Sequence, residues 1–585
     1  MTIFAGAYCI NNTDSLPAAL VRDLLAALRT KDDGFGTHSR YETTSFVLES
    51  WDSGAFREPA WHEDVNGVCK LAGDPLLEGE TLSRAKQVTL LVQALRGGQF
   101  ELLATSRGSF ALVDYEAGRH KLILTTDHVG LRPIYYAVQD GVLVFATALR
   151  ILESLQWLQR SLSPQGMTEL SAFSFPLADR TPYAEISVLR ECEIVLFEEG
   201  RIAHERYYDW AESSSSNDGP AAASASPAQL FGLFEEAVSM RVGGDRSVYS
   251  FLSGGMDSRS IVATLLNGSR HIEALNFSAN ASQDQYYAQQ FAAEVGARLT
   301  LHCLVGGVFP NFSFLALAAK TELEKVKSID VDRRQCIWSG DGGSVGLGHV
   351  YMDEAMLNIA DQEGLAAVVE YFLKFNRIAL PTKVMSRSTR RTMPRRLHEA
   401  VLGEMQRYRR HELGRQIYLF LLFNDQRRHL FKHFETIDQH GLELLTPFFD
   451  AKFLKAIVAT PIRRGVLHRL YSEWFEHMPE VARRTRWQTY PGHVPCPIKT
   501  EEMGSYQWAK THHRASVGVR LRVARQIFEN LGSARKSDAF STVRVALAAI
   551  LHVLGLSNCD YIAVILEIYA KHVRMVSGSA TQSRT

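Results

Sequence analysis

Several common sequence patterns are missing from this chain of 585 residues. Its seven cysteines are scattered and form no CxxC pair, which favours reduced thiols over a disulfide framework. The N-terminus, MTIFAGAYCI, has neither a charged segment nor a long apolar segment, so we predict no secretory signal peptide. These absences together lead us to expect a cytoplasmic protein.

An excess of charge of either sign is also missing, because 64 Lys and Arg residues balance 64 Asp and Glu residues. This balance argues against a protein whose general role is to bind nucleic acid or a membrane surface. The most apolar tract, residues 543–569, is interrupted by polar residues and divided at Gly555. It predicts two packed helices rather than a membrane span. Neither nucleic acid nor a membrane is expected as a partner.

One low-complexity segment is present, AESSSSNDGPAAASASP at residues 211–227. Ser, Ala, Gly and Pro dominate it, so it cannot build a core and predicts a flexible linker. Residues 1–210, before this segment, contain short β-favouring runs separated by turn signals. The strands predicted there include residues 110–115, 121–126, 134–138 and 142–146, and the predicted helices are residues 21–28 and 82–95.

Residues 228–585, after the linker, follow a different pattern. Strands alternate with helices, which predicts a parallel sheet. The predicted elements are strands at residues 246–252, 271–277 and 299–304, a helix after the first strand, and a second helix at residues 284–295. From residue 355 onward the chain is predicted to be mostly helical.

The strongest motif is SGGMDS at residues 253–258, between the first of these strands and its helix. Glycines let the backbone approach an anion closely, and a helix N-terminus offers free N–H groups and partial positive charge. Ser253 and Ser258 add hydroxyl donors, and Asp257 adds a carboxylate that could hold Mg²⁺. No Walker A pattern occurs, and the shorter loop suits a pyrophosphate that leaves. A glycine-rich turn without a ligand is the alternative.

This motif is similar to the PP-loop of the asparagine synthetase family, which has the pattern SGGxDS. Three further segments resemble motifs of that family in its order: residues 127–136 resemble DRxGxxPLYY, residues 339–348 resemble SGxGxDExxGG, and residues 445–450 resemble VRxPFLD. The resemblance implies a fold of α/β plus α+β class. Residues 1–210 would form an N-terminal Ntn-type, glutaminase-like αββα domain. Residues 228–585 would form a parallel-sheet ATP-pyrophosphatase synthetase domain with a helical C-terminal part.

The resemblance also implies ATP and Mg²⁺ as cofactors. The residues it implies for nucleotide binding are Leu252, Ser253, Gly254, Gly255, Met256, Asp257, Ser258, Asn276, Phe277 and Gly340. The implied metal ligands are Asp257 and Asp341. Ser344 stands where the family has a second Asp, and Asp353 and Glu354 are candidates to compensate for it.

The family also places a Lys near the end of the matched region, where it stabilises the adenylate and the oxyanion. Arg486 is the residue nearest to that position, with Lys499 as the second choice, and both join Asp341 as predicted catalytic residues. An Arg cannot act as a base at neutral pH, so another group would have to deprotonate the amine. His429 and His433 have i,i+4 spacing without an HExxH pattern and are predicted to be surface or packing residues.

The sequence departs from glutamine-hydrolysing members at its start. Those members need a Cys directly after the initiator Met, and this chain has Thr2. Cys9 lies in an apolar run and is predicted to be a core residue. Residues 71–77, LAGDPLL, stand near the place of the family's glutamine-binding NGEIYN segment. We therefore expect no glutamine hydrolysis and expect the N-terminal domain to be a structural remnant or a docking surface.

An amine from another source is then required, and two branches of the family take it from the substrate itself: β-lactam synthetases and lasso peptide macrolactam synthetases. The loop at residues 340–348, GDGGSVGLG, and the stretch AGDP at residues 72–75 resemble the second branch most. The expected function is ATP-dependent macrolactam formation: a side-chain carboxylate of a precursor peptide is adenylated and joined to the peptide's N-terminal amine, releasing AMP and pyrophosphate. A leader peptidase is a further expected partner. The alternatives are a β-lactam synthetase, an ammonia-using asparagine synthetase and a non-catalytic binding protein of the same fold.

Overall fold

The computed structural model of the chain describes residues 2–11, 14–28, 36–79, 82–212, 224–268, 270–303, 312–325, 331–486 and 516–577. Within these residues the first part of the chain contains two antiparallel sheets and the second part a parallel sheet followed by many helices.

The N-terminal domain consists of short strands with helices on the outside. Its strands are β1 (Thr2–Cys9), β2 (Thr37–Glu42), β3 (Phe46–Asp52), β4 (Trp61–Asp64), β5 (Gly67–Gly73), β6 (Phe110–Glu116), β7 (Lys121–Thr126), β8 (Tyr135–Gln139), β9 (Val142–Ala146), β10 (Ser187–Val188), β11 (Glu193–Glu198) and β12 (Arg201–Arg206). Its helices are α1 (Ala18–Leu28), α2 (Arg84–Arg96), α3 (Glu101–Ala104), α4 (Leu149–Ser154) and α5 (Pro164–Phe173).

These elements form four layers because each sheet buries both of its faces. One sheet has the strand order β10-β8-β9-β1-β3-β2 and the other β12-β11-β7-β6-β5-β4. In β1, Phe4 and Tyr8 fill the space between the sheets, whereas Ile3 and Ala5 belong to the core on the α1 side. Alternate residues of a strand point to opposite faces, so an apolar strand can serve two cores. Helix α2 covers the second sheet, and Leu91 lies in the core between them.

The second part of the chain is an α/β unit that continues into helices. Its strands are β13 (Ser247–Phe251), β14 (His271–Ser278), β15 (Arg298–Cys303), β16 (Cys336–Trp338) and β17 (Glu443–Leu445). The helices up to the last strand are α6 (Pro227–Val242), α7 (Met256–Leu266), α8 (Gln283–Val295), α9 (Phe312–Lys325), α10 (Gly343–Gly346), α11 (Glu354–Glu363), α12 (Leu365–Phe375), α13 (Arg387–Gln406), α14 (Leu413–Phe420), α15 (Arg427–Glu435) and α16 (Ile437–His440). The later helices are α17 (Ala451–Val458), α18 (Ile462–Gly465), α19 (Arg469–Phe475), α20 (Glu480–Arg484), α21 (Val517–Ala534), α22 (Thr542–Val553) and α23 (Asp560–Val576).

All neighbouring strands of the third sheet are parallel, in the order β15-β14-β13-β16-β17. The carboxyl ends of parallel strands meet at one edge, and ligands of open α/β sheets bind in the crevice outside that edge. The loops that follow β13, β14 and β16 therefore meet at this edge of the sheet. Most of the predicted site residues belong to these loops or to the strand ends beside them.

The fold class predicted from the sequence is confirmed: an Ntn-type αββα domain is followed by a parallel-sheet synthetase domain and a helical C-terminal region. The apolar tract at residues 543–569 forms two helices, α22 and α23, as predicted. No helix among the described residues is long and apolar enough to cross a membrane. Helix α6 begins at Pro227, the last residue of the predicted linker, because Ser226 caps it in a capping box. Residues 213–223 of that linker lie outside the described residues.

The two domains are joined by a buried ion cluster around Asp450, the last residue of the segment that resembles VRxPFLD. Its carboxylate is fully buried and accepts hydrogen bonds from Arg107 of the N-terminal domain at 3.0 Å and from Arg241 of α6 at 3.0 Å. Arg241 also donates to the backbone oxygen of Arg107 at 2.9 Å. Asp450 caps α17 as well, since it accepts from the backbone N–H of Lys452 and Phe453. One carboxylate therefore fixes both domains and one helix.

We expect Asp450→Ala to lower the free energy of unfolding by about 3–5 kcal/mol, because it leaves two buried guanidinium groups without their shared carboxylate. Urea denaturation followed by circular dichroism measures the change. The matched control is Lys452→Ala, whose side chain is 40% exposed and whose ion pairs should contribute about 1 kcal/mol or less. Equal destabilisation by the two substitutions would contradict the role given to Asp450.

Candidate functional site

A cavity of about 520 Å³ lies at the carboxyl edge of the parallel sheet. It is bounded by the ends of β13 and β14, by the SGGMDS loop, by the loop after β16 and by the helical turn before α15. The lining residues are Phe251, Leu252, Ser253, Asp257, Ser258, Leu275, Phe277, Leu315, Ser339, Gly340, Asp341, Gly342, Ser344, Val345, Val350, Tyr351, Asp425, Gln426 and His429. This volume lies in the range of small-molecule and cofactor sites.

The loop from Ser253 to Gly255 connects β13 to α7 and is held in a tight turn by its own hydroxyls. The backbone N–H of Ser253 donates to Oγ of Ser258 at 2.8 Å, and the two hydroxyl oxygens lie 2.9 Å apart. The backbone N–H of Gly255 donates to Oγ of Ser253 at 3.1 Å. Helix α7 starts at Met256 with Gly255 as its N-cap, so the first N–H groups of the helix stand beside the cavity. This is the arrangement that suits a phosphate group.

Two glycines allow the surrounding segments to approach this loop. A Cβ atom on Gly254 would lie 2.9 Å from Cα of Asp284, at the start of α8. A Cβ atom on Gly340 would lie 2.5 Å from the backbone nitrogen of Ser258. Both distances are shorter than real Cβ contacts, so neither position accepts a side chain in this backbone arrangement. The glycines of both motifs thus bring the loops after β13 and β16 into direct contact.

Asp257 is the centre of a polar cluster at the floor of the cavity. Its carboxylate accepts hydrogen bonds from the backbone N–H of Ser344 at 3.1 Å, from the Ser344 hydroxyl at 2.9 Å and from the Tyr471 hydroxyl at 2.5 Å. Ser344, which replaces the second Asp of the family, is thus a donor to the predicted metal ligand. Asp341 also faces the cavity and accepts from the Ser339 hydroxyl at 2.5 Å.

The two residues suggested as compensating carboxylates do not line the cavity. Asp353 caps α11 by accepting from the backbone N–H of Met356 and also accepts from the Tyr371 hydroxyl at 2.7 Å. Glu354 forms an ion pair with Arg469. Both carboxylates are committed to helix α11 and its neighbours, so the expectation that one of them replaces the second metal ligand is wrong for this structure.

The lining residues are suited to a nucleotide that binds together with Mg²⁺. Asp257, Asp341 and Asp425 face the cavity together with serine hydroxyls, and such oxygen donors are the ligands that Mg²⁺ prefers. No Lys or Arg is found among the lining residues of the described part of the chain. A polyphosphate would therefore be repelled by these carboxylates unless a cation neutralised them. Asp257 and Asp341 are the residues that would hold that cation beside the N-terminus of α7.

Most predicted nucleotide-binding residues lie at this cavity. Leu252, Ser253, Asp257, Ser258, Phe277 and Gly340 line it, as does Asp341. Gly254, Gly255 and Met256 do not line it: the two glycines shape the turn behind its wall, and Met256 is buried in the core. The family resemblance selected these three residues because they are adjacent in sequence, whereas the turn exposes only part of the motif to the cavity.

Asn276 is a fourth predicted nucleotide-binding residue that does not line the cavity. It is buried, and its amide nitrogen donates to the backbone oxygen of Leu252 at 2.9 Å and to Asp284 at 3.0 Å. Asp284 in turn accepts from the backbone N–H of Gly254 at 2.9 Å. Burial raises the pKa of Asp284 to about 6. This chain of hydrogen bonds positions the loop from behind rather than contacting a ligand.

Of the two predicted cationic residues, the structure describes only Arg486. Arg486 does not line the cavity, and it is the last residue described before residue 516; Lys499 lies outside the described residues. The backbone oxygen of Arg486 accepts from Arg259 of α7 at 2.6 Å, and Arg259 also donates to the backbone oxygen of Gly254 at 3.2 Å. Arg259 is buried and links the SGGMDS loop to Arg486 through these two hydrogen bonds. The sequence analysis did not identify this residue.

Sequence reasoning also missed the far wall of the cavity, which Tyr351, Asp425 and Gln426 form with His429. Asp425 lies in a π-helical turn, Leu421–Gln426, between α14 and α15, and such turns are frequent at functional sites. Burial raises the pKa of Asp425, while the amide of Gln426 donates to its carboxylate at 2.7 Å. The one signal available in the sequence was an Asn-Asp pair directly after an apolar helical run.

The two histidines of α15 have different surroundings. His433 is fully buried and stacks on His440 with ring centroids 4.6 Å apart, in agreement with the expected packing role. His429 was expected to be a surface or packing residue, and it instead lines the cavity four residues after Asp425. The i,i+4 spacing therefore does not make a metal pair, since the two rings face different parts of the molecule.

The structure buries both Thr2 and Cys9, the two residues considered at the start of the chain. Thr2 begins β1 and is 3% exposed. Cys9 is fully buried at the other end of the strand, and burial raises the pKa of its thiol to about 11. A thiol of that pKa stays protonated at neutral pH and is a poor nucleophile. Cys9 is thus a core residue, as predicted.

We expect Gly340→Ala to weaken the binding of a fluorescent ATP analogue by about tenfold or more, because the new Cβ would push the loop away from α7 at a cost of about 1–3 kcal/mol. The matched control is Gly346→Ala, where the nearest atom to the new Cβ would lie 3.8 Å away. A fluorescence titration of both variants provides the measurement. Unchanged binding by the Gly340 variant would refute the nucleotide site.

We expect Ser344→Asp to lower the dissociation constant for Mg²⁺ by about tenfold, because a second carboxylate beside Asp257 needs a cation between them. In the absence of Mg²⁺ the same variant should melt at a lower temperature than the wild type. Ser344→Asn is the neutral control of similar size. Thermal unfolding with and without Mg²⁺ distinguishes them, and an equal response of both variants would argue against metal binding at Asp257.

Comparison with protein families gives two matches along the chain. A glutamine amidotransferase domain matches residues 78–208, and asparagine synthase matches residues 229–307. The asparagine synthetase (glutamine-hydrolyzing) 3 of Bacillus subtilis is 23% identical over 189 residues, which is 32% of this chain and 30% of that protein. The asparagine synthetase (glutamine-hydrolyzing) of Homo sapiens is 23% identical over 418 residues, or 67% of this chain and 64% of that protein.

The match to each of these relatives therefore spans less than two thirds of the relative's length. Among solved structures, glutamine phosphoribosylpyrophosphate amidotransferase from B. subtilis aligns with 10% identity and a TM-score of 0.23, covering 59% of this chain and 77% of that chain. The two domain matches occur in the same order as the αββα domain and the parallel-sheet domain described above. Both parts of the chain are thus similar to the corresponding domains of asparagine synthetases.

Proposed function

We propose that this protein is an ATP-dependent carbon–nitrogen ligase that releases AMP and pyrophosphate. The observation that carries the proposal is the contact of two loops at one cavity: the SGGMDS turn faces it with Ser253, Asp257 and Ser258, and the loop after β16 faces it with Asp341. The shortness of the SGGMDS turn and the absence of a Walker A lysine favour a held pyrophosphate over transfer of the terminal phosphate.

The residues of the SGGMDS loop would hold the leaving pyrophosphate. The N–H groups at the start of α7 and the two serine hydroxyls offer hydrogen bonds to phosphate oxygens. When bound, Mg²⁺ neutralises phosphate charge, and Asp257 and Asp341 are the residues that would hold it. Leu252, Leu275 and Phe277 form an apolar wall that suits an adenine ring. The substrate carboxylate would attack the α-phosphate and form an acyl-adenylate inside this cavity.

The amine must lose a proton when it attacks the acyl-adenylate, and Asp425 is the group we assign to accept it. Asp425 lies on the wall opposite the SGGMDS loop, and burial raises the pKa of its carboxyl. A raised pKa makes a carboxylate a better acceptor of a proton. Arg486 cannot take that role at neutral pH, so we retain Arg486 and Lys499 only as proposed stabilisers of the oxyanion.

For the substrate, we favour a peptide that supplies both the carboxylate and the amine. The replacement of the family's nucleophilic Cys by Thr2 supports an amine source other than glutamine. The resemblance of residues 339–348 to lasso peptide macrolactam synthetases supports ring closure from an Asp or Glu side chain to the N-terminal amine. Holding both groups in one cavity favours ring closure because a bound geometry replaces a bimolecular encounter. A leader peptidase of the same pathway is the proposed partner.

The reaction type can be tested by exchange of labelled pyrophosphate into ATP in the presence of candidate carboxylate peptides. We expect exchange and AMP formation by the wild type and a loss of at least about 10²-fold in Asp257→Ala, which removes a charge that acts on the leaving group. Asp361→Ala, at an exposed carboxylate that pairs with Arg463, is the control and should keep full exchange. Formation of ADP instead of AMP would overturn the proposal.

The same preparation separates the alternative substrates. Formation of asparagine from aspartate, ATP and ammonium would favour an ammonia-using asparagine synthetase. A protein that binds ATP but neither exchanges pyrophosphate nor forms AMP with any peptide would favour a binding protein of this fold.

A further inference from the structure

A second, smaller cavity adjoins the candidate nucleotide site. Its volume is about 110 Å³. The residues that line it are Phe173, Phe175, Leu177, Tyr351, Phe372, Asn376, Ile378, Phe420, Leu421, Asn424 and Asp425. Tyr351 and Asp425 line the larger cavity as well, so these two residues stand at the junction. We call this smaller space the side cavity.

The two asparagine side chains of the side cavity form hydrogen bonds with the protein backbone. The amide of Asn376 donates to the backbone oxygens of Tyr351 at 3.2 Å and Phe372 at 3.3 Å. Asn424 accepts from the backbone N–H of Ala178 at 2.7 Å and donates to the backbone oxygen of Phe420 at 3.1 Å. An occupant of the side cavity therefore meets mainly aromatic and aliphatic side chains.

Size and lining together define the group that fits. An apolar cavity of about 150 Å³ in another protein stays dry and binds benzene. The side cavity is somewhat smaller and is lined by Phe, Leu and Ile, so it accommodates one aromatic ring or a branched aliphatic chain. Burial of such a group is favourable in proportion to the apolar area removed from water, so the side cavity selects it over a small or polar group.

The charge at the junction indicates which substrate carries this group. Among the described residues that line the side cavity, Asp425 is the only charged one, and it faces the larger cavity too. A carboxylate beside it would be repelled, whereas an ammonium group would be attracted. An occupant with its apolar end in the side cavity thus places a nitrogen, rather than a carboxylate, at the junction with the nucleotide site.

We propose that the side cavity binds an aromatic or branched aliphatic group attached to the amine that attacks the activated carboxylate. This inference rests on the proposed ligase function and names the chemical class of its amine substrate. The attacking nitrogen lies at Asp425, and its apolar substituent extends between α12, the π-helical turn and the N-terminal domain.

The N-terminal domain acquires a specific role in this arrangement. Phe173 ends α5, and Phe175 and Leu177 follow it, so one wall of the side cavity comes from the domain that lacks the nucleophilic Cys. The rings of Phe173 and Phe175 stack with centroids 5.9 Å apart, which gives that wall a fixed shape. The domain would then select the amine substrate instead of producing ammonia.

Binding of 4-fluorophenethylamine to the full chain, followed by ¹⁹F NMR, tests the inference directly. We expect saturable binding of this probe and binding at least about tenfold weaker for 4-fluorophenylacetate, which has the same ring and the opposite charge. Ethylamine, which lacks the ring, should not compete at similar concentrations. Equal binding of the two fluorinated probes would overturn the assignment of an amine.

Two variants separate the ring contact from the charge contact. Ile378→Trp fills the side cavity from a half-buried position and should weaken 4-fluorophenethylamine binding about tenfold or more. Asp425→Asn should remove the preference for the amine while leaving a neutral ring, 4-fluorotoluene, bound as before. Lys374→Trp, an exposed position on α12, is the matched control and should bind like the wild type. Circular dichroism confirms that each variant is folded.

Failure of this inference and failure of the proposed function give different results. Pyrophosphate exchange needs the carboxylate substrate and no amine, so it can persist when the probe does not bind; that outcome refutes the side cavity alone. Probe binding without any AMP formation refutes the ligase function and leaves an amine-binding site. Binding that Ile378→Trp does not change would place the probe elsewhere and refute the inference.

Discussion

The structure of the site depends on the close approach of three backbone segments around the start of α7. Gly254 lies against Asp284 and Gly340 lies against Ser258, at distances that no Cβ atom tolerates. This contact brings the loops after β13 and β16 to the same edge of the parallel sheet. Asp257 and Asp341 face one cavity for that reason, although they are far apart in the chain. Neither position accepts a side chain unless one of these segments moves.

The electrostatics of the cavity follow from this geometry. Three carboxylates and several hydroxyls face it, and the described part of the chain supplies no Lys or Arg to its lining. A nucleotide is compatible with such a surface only when cations are present. The N-terminus of α7 supplies part of the positive charge. Arg259 donates to the backbone oxygens of Gly254 and Arg486 and so connects the SGGMDS loop to the end of the segment that contains α20.

The N-terminal domain is integrated into the molecule rather than attached to it. Asp450 joins it to the synthetase domain through Arg107 and Arg241, and Arg427 of α15 donates to the backbone oxygen of Gly130 at 3.0 Å. These buried contacts hold the wall of Phe175 against the π-helical turn. The N-terminal domain therefore helps to shape the side cavity beside the larger cavity.

Strand–helix alternation and the SGGMDS motif are local features, so the fold class and the turn proposed to contact phosphate could be predicted from the amino-acid sequence. It located Ser253, Asp257, Ser258 and Asp341, which lie in short contiguous segments. It did not locate Asp425, Tyr351 or Arg259, because their roles depend on residues distant in the chain. It also predicted that Asn276 contacts the ligand, whereas the buried amide of Asn276 donates to Leu252 and Asp284. The tertiary structure decides the roles of these residues, because it packs segments that are distant in the chain against one another. No local sequence pattern predicts such contacts.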